Sequence, residues 1–179
     1  MGHRFADLLF SEPVKQVQQE QDSSDKFLKW ETKADFNDRL TLKETSFLSQ
    51  RDSFYLATVS PDGWPYIQHR GGRKGFIKVL DDKHIGFADF RGNRQYITTG
   101  NVRGNNRVAC FFMDYQERRR LKMLGYAKEV RTGTSEALGL FTDSEHSNTI
   151  ERGFIIQVEA FDWNCSAHIT RRIEQPLLL

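Results

Sequence analysis

The stretch Arg119–Val130, RRLKMLGYAKEV, sets Leu121, Met123, Gly125 and Ala127 in strict alternation with Lys122, Leu124, Tyr126 and Lys128. A period of two places one set on each face of a β-strand, so a second layer must cover the apolar face or the sheet must curl over it. The pattern recurs at Phe154–Phe161, with Phe154, Ile156, Val158 and Ala160 on one face and Gln157 and Glu159 on the other. Phe54–Val59, dense in aromatic and β-branched residues, closes on SPDG, a turn signal leading to a second strand through Tyr66 and Ile67. Gly75–Leu80 and His84–Phe90, separated by Asp81-Asp82-Lys83, read as another hairpin, and Arg107–Met113 as a further strand. Seven short strands with few helices predict a mainly β chain, a small antiparallel barrel with peripheral helices; a sandwich and an α+β sheet are the alternatives.

Residues 93–104 break the alternation and end in glycine, which predicts a short helix, and SEALGLFTDSE predicts another across an open end. Phe36, Leu40, Phe47 and Leu48 fall on one helical face, with Thr41 or Asp38 as the cap. The first 35 residues are polar and aperiodic and predict short helices and loops, so residues 1–50 form an arm and residues 51–179 the barrel domain of one globular unit.

Function classes are narrowed by what is missing. No run approaches the roughly 18 apolar residues of a membrane span, and MGHRFADLLF is too short and polar for a secretory signal, so a cytoplasmic chain with no membrane partner is expected. Cys110 sits in VACFFM as a packed thiol, and no disulfide with Cys165 is expected. His3, His69, His84, His146 and His168 are scattered, HExxH and CxxC do not occur, and no metal is expected. No nucleophile elbow or nucleotide-binding glycine pattern occurs, and the catalytic residues remain unassigned.

Charge points elsewhere. Residues 61–131 hold 15 basic and 7 acidic side chains, while the segments on either side are net acidic. Within that middle, Gln68-His69-Arg70-Gly71-Gly72-Arg73-Lys74 and Asp89-Phe90-Arg91-Gly92-Asn93-Arg94 are phosphate-sized clusters. Arginine meets phosphate through paired charged hydrogen bonds, glycine lets backbone approach, and the second cluster leads into a helix start. The competing reading is solvated turn arginines. A third run, Arg118-Arg119-Arg120, begins a strand and suits a solvated strand mouth. Single-stranded nucleic acid would use these cations with Tyr66, Phe76, Phe87, Phe90 and Tyr96, but most of those rings fall at core spacing, so no nucleic-acid partner is expected. Trp163, Cys165 and His168 near the C-terminus suggest a docked element, over a ligand or over the core.

In this order, RDSFYLATVSPDGWPYIQHRGG, GFIKVLDD, HIGFADFRGNRQYITTGNV, RVACFFMDYQERRRLKMLGYAKEV and DWNCSAHITRR resemble the FMN-binding split-barrel family related to pyridoxamine 5'-phosphate oxidase. The resemblance implies a split barrel and a homodimer with FMN between subunits. It implies that Gln68, His69, Arg70 and Gly71 line the flavin and phosphate and that Phe90, Asn93, Arg94 and Gln95 complete the phosphate end. Arg119 or Arg120, Trp163 and Arg171 would approach from the partner subunit. HRGGRK and RGNRQ depart from the oxidase's own flavin-strand and SRK patterns, so flavin binding carries over and the vitamin B6 reaction does not. The implied activity is an FMN-dependent oxidoreductase acting on a small molecule, with a reduced nicotinamide or a reductase as electron donor. The alternative is a flavin or haem carrier, with His69, His84 and His168 as the axial candidates.

Overall fold

The computed structural model describes residues 3–31, 36–135, 140, 150–163 and 167–173. Three short helices, α1 (Arg4–Leu9), α2 (Glu12–Glu20) and α3 (Ser24–Glu31), precede α4 (Leu42–Ser49). The strands are β1 (Ser53–Val59), β2 (Pro65–Gly71), β3 (Lys78–Val79), β4 (His84–Phe90), β5 (Arg107–Asp114), β6 (Arg119–Arg131) and β7 (Ile150–Trp163), with α5 (Ile97–Gly104) between β4 and β5. They form one seven-stranded sheet in the order β2-β1-β5-β6-β7-β4-β3, and its ladders are antiparallel.

The sheet curls on itself. Phe54 of β1 meets Phe87 of β4 edge to face at 5.2 Å between ring centroids and stacks on Phe112 of β5 at 5.0 Å, although β1 and β4 are far apart in the strand order. Phe54, Phe87, Phe112 and Phe154 are fully buried, so the interior of the curl is the core. The end strands β2 and β3 share no ladder, which makes this a split barrel.

The expected alternation holds where it was strongest. Leu121, Met123 and Ala127 are buried, as are Phe154, Ile156, Val158 and Ala160. The β6–β7 register shifts between Leu124 and Gly125, and a Cβ on Gly125 would stand 2.3 Å from the Gln157 carbonyl oxygen. Glycine is therefore required where the two strands bulge together.

Three expectations need correction. The predicted strand Gly75–Leu80 contracts to Lys78–Val79, because Gly75 takes φ +85° and the Phe76 N–H bonds back to the Arg73 carbonyl in a turn. The last strand starts at Ile150 rather than Phe154, since Ile150 and the polar Arg152 pair with β4 across a bulge at Glu151, although this segment lacks the apolar period. Phe36 and Leu40 lie before α4, whose start is fixed at Thr41. There the Thr41 side chain and Glu44 form a capping box, and the Leu40 N–H instead donates to Asp82 at 2.7 Å.

The N-terminal segment is helical, and α1 packs on β7. Phe5 and Ala6 are buried, and Arg4 is paired with Glu159. Among the described residues no helix is long and apolar enough to cross a membrane, and no cluster of three metal-ligating side chains occurs. Cys110 is a buried thiol whose pKa burial pushes up. Cys165, His146 and most of the predicted helix SEALGLFTDSE lie outside the described residues.

Candidate functional site

Alternation along β2 turns Tyr66, Gln68 and Arg70 to one face, the face that borders a pocket reaching Asp89 and Phe90 of β4, the loop at 92–96, the first turn of α5 and Glu151. Arg70 Nη1 donates to Asp89 Oδ1, with both side chains largely buried. Burial pushes the Asp89 carboxyl above its ordinary range, against the pull of Arg70 and Arg152. A second hydrogen bond on the pocket wall joins the Tyr66 hydroxyl to Gln68 Oε1.

The loop feeding α5 is held in an uncommon conformation. Arg94 (φ +61°) and Tyr96 (φ +54°) both occupy the left-handed region, where non-glycine residues are rare and cluster at functional sites. Asn93 Oδ1 accepts the Gln95 N–H at 3.1 Å, the Arg94 Nε–H reaches the Tyr96 hydroxyl at 3.3 Å, and that hydroxyl donates to Glu151 at 3.2 Å. The loop thereby presents the start of α5, whose leading N–H groups and positive dipole end favour an anion.

Two polar atoms here are buried without a hydrogen-bond partner among the described residues, Arg70 Nε and Thr98 Oγ1. Thr98 is 3% exposed and lies in the first turn of α5. Unsatisfied buried polar atoms are rare in folded proteins, and both of these belong to residues that line the pocket. Arg70 and Arg94 share the pocket with the carboxylates of Asp89 and Glu151.

Six sequence-predicted residues, Gln68, Arg70, Phe90, Asn93, Arg94 and Gln95, meet at this pocket. Gly71 ends β2 nearby. His69 does not join them, because alternation turns it to the other face of β2, where it meets the Tyr55 ring edge-on at 5.7 Å. Arg119 and Trp163 are elsewhere in the chain. Trp163 donates its indole N–H to Glu44 at 2.7 Å and packs on Phe47, and Arg119 pairs with Asp114 at 3.2 Å. Arg120 lies beside Arg119 on β6 with Nε buried and without a hydrogen-bond partner among the described residues, and Arg171 is exposed.

The sequence reading missed Tyr66, Tyr96, Thr98 and Glu151 as pocket residues and named Asp89 only within the second arginine-glycine cluster. Asp89 had a signal, a lone carboxylate inside the aromatic run IGFADF. Thr98 follows the arginine-rich turn at the predicted helix start, a position suited to an anion-binding hydroxyl. Glu151 had none, since Arg91 and Tyr96 lie more than fifty residues away.

The sequence profile of the pyridoxamine 5'-phosphate oxidase family matches residues 40–153, a span containing every pocket residue named above. The chain belongs to the pyridoxamine 5'-phosphate oxidase family. Among solved structures, a protein of Lactobacillus delbrueckii provisionally assigned as a pyridoxamine 5'-phosphate oxidase is 22% identical, with TM-score 0.54, covering 70% of this chain and 94% of its own. HupZ of Group A Streptococcus is 18% identical, with TM-score 0.54 and coverage of 68% and 92%. The conserved hypothetical protein Rv2991 of Mycobacterium tuberculosis is 18% identical, with TM-score 0.52 and coverage of 76% and 91%. Their likeness establishes the split-barrel fold. No curated protein matches the chain. The family match ends before Trp163 and Arg171, which the sequence reading assigned to the partner side of the site.

Proposed function

We propose that the chain is an FMN-binding flavoprotein that acts as an oxidoreductase on a small molecule. The observation that carries this reading is the convergence of Arg70, Arg94 and Thr98 with the start of α5 on one pocket of a pyridoxamine 5'-phosphate oxidase family member. Arg70, Arg94, Thr98 and the first N–H groups of α5 would hold the phosphate. Gln68, Tyr66 and the carboxylates of Asp89 and Glu151 offer hydrogen-bond partners for a hydroxylated chain. Bound FMN supplies the electron transfer itself, which accounts for a chain with no acid/base or nucleophile motif.

The polar pocket leaves the flavin ring to be covered by a second subunit. Trp64, Ile67 and Tyr55, exposed on or beside the β1–β2 hairpin, support a homodimer. Arg119 or Arg120, Trp163 and Arg171, together with the exposed His69, would reach the ring at that interface. The unit proposed is a cytoplasmic homodimer in which residues 1–50 form an arm on the barrel of residues 51–179. Its electron donor would be a reduced nicotinamide or a partner reductase.

Purified protein should be yellow, or become so on reconstitution with FMN, and should then oxidise a reduced nicotinamide or accept electrons from a reductase. Colourless protein that cannot be reconstituted contradicts the reading. The second reading, a carrier without turnover, is favoured by the exposure of His69 and by His84, whose Nδ1 is held by Asp81 at 2.9 Å as a ligating imidazole requires. A Soret band on haem titration that is lost in His69→Ala or His84→Ala selects it.

A further inference from the structure

Arg152 of β7 is not a wall of the pocket, yet it touches several of the groups that shape it. Nη2 donates to Glu151 at 2.8 Å and Nη1 to the Thr99 hydroxyl at 3.3 Å. Nη1 also stands 3.6 Å from Glu129, Nε stands 3.6 Å from Asp89 Oδ2, and the guanidinium lies over the Tyr96 ring at 4.7 Å. Its side chain is 14% exposed. Asp89 thus stands between two arginines, with Oδ2 facing Arg152 and Oδ1 accepting from Arg70.

A guanidinium is a rigid planar fork, so fixing one Nη fixes the direction of its other N–H groups. Because Asp89 holds Arg70 by Nη1, the unpartnered Nε has a set direction before any ligand arrives. Tyr96 and Thr99, the other groups under Arg152, set the first turn of α5. Both halves of the anion site therefore lean on one side chain.

We infer that Arg152 is a positioning residue for the phosphate site, acting on Arg70 through Asp89 and on the start of α5 through Tyr96 and Thr99. Identification of the ligand rests on the flavin reading above; the geometry within the free protein does not. Lysine at 152 keeps the charge but offers a single point donor, which cannot meet Glu151, Thr99 and Asp89 together.

Two readouts test this in the full chain. The first needs no ligand: the 1H–15N resonance of Arg70 Nε, assigned by its loss in Arg70→Lys, should shift or broaden in Arg152→Lys and Arg152→Gln and stay in place in the remote Arg39→Lys. An Arg70 resonance unmoved in folded Arg152→Lys overturns the inference. The second is the ratio of FMN to riboflavin affinity, which isolates the phosphate. Arg152→Lys should lower it about tenfold or more, the scale of one hydrogen bond to a charged group, and should lower it by less in an Arg70→Lys background, where only the route through α5 remains. Fully additive losses overturn the coupling. Wild-type protein that binds no FMN contradicts the flavin reading instead, and the resonance still decides the role of Arg152.

Discussion

Arg70 and Asp89 form an ion pair between β2, at one edge of the sheet, and β4, next to the other edge. One contact thereby ties the ends of the split barrel together and forms part of the pocket wall. Fold and site depend on the same two side chains, so their variants should separate binding from stability.

Arg94→Ala should weaken FMN binding by about 1.5–3 kcal/mol, the loss of a hydrogen bond to a charged group, and leave the melting temperature near wild type. Among the described residues its side chain bonds only the Tyr96 hydroxyl, at 3.3 Å, and it is exposed. Arg70→Ala should lose as much affinity and also cost about 1–3 kcal/mol of stability, because buried Asp89 is left with Arg152 alone. Isothermal calorimetry and denaturant melts of the two variants check the contrast. Equal stability in both would contradict the barrel-closing role of Arg70.

Glu44 predicts a pH dependence. Burial alone would raise its pKa, but hydrogen bonds from Thr41 and Trp163 hold the carboxyl below the usual range. The folded-state value lies below the unfolded one, about 4.3, so this stabilisation is complete above that pH and is lost as the pH falls through the lower folded value. Thermal melts between pH 7 and pH 3 should show an acid loss that Glu44→Gln reduces, with Trp163 fluorescence shifting over the same range in wild type only. An identical profile in Glu44→Gln would contradict the assignment.

Gly125→Ala should destabilise the barrel by about 1–3 kcal/mol or more, an overpacking cost. The added Cβ would meet both the Gln157 carbonyl oxygen at 2.3 Å and Ile156 Cγ2 at 2.8 Å. Chemical denaturation measures it, and a neutral substitution would mean that the β6–β7 bulge relaxes freely.

What the sequence made legible was local. The period of two in β6 and β7, the SPDG hairpin and the Thr41 cap each lie within a few residues of their partners, and each appears in the fold. The anion pocket was half legible, since Gln68, Arg70, Asn93 and Arg94 fall in two arginine-glycine clusters joined by one hairpin. His69 stands apart from Gln68 and Arg70 because residues adjacent in a strand point in opposite directions. Glu151 and Arg152 stayed hidden because their meaning is pairing between β4 and β7, whose register places Asp89 opposite Arg152. No local pattern encodes that distance. The short N-terminal helices were expected, but their docking was not legible, because α1 gains its buried face only against β7.

The pocket between β2, β4 and α5 is proposed to bind the phosphate of FMN. Titration of apo-protein with FMN and with riboflavin, each followed by quenching of flavin fluorescence, tests it most directly. FMN should bind saturably at one site per chain and riboflavin at least about tenfold more weakly, and Arg94→Ala should lose that preference. Equal affinity for the two flavins, or a preference that survives in Arg94→Ala and Arg70→Ala alike, would contradict it.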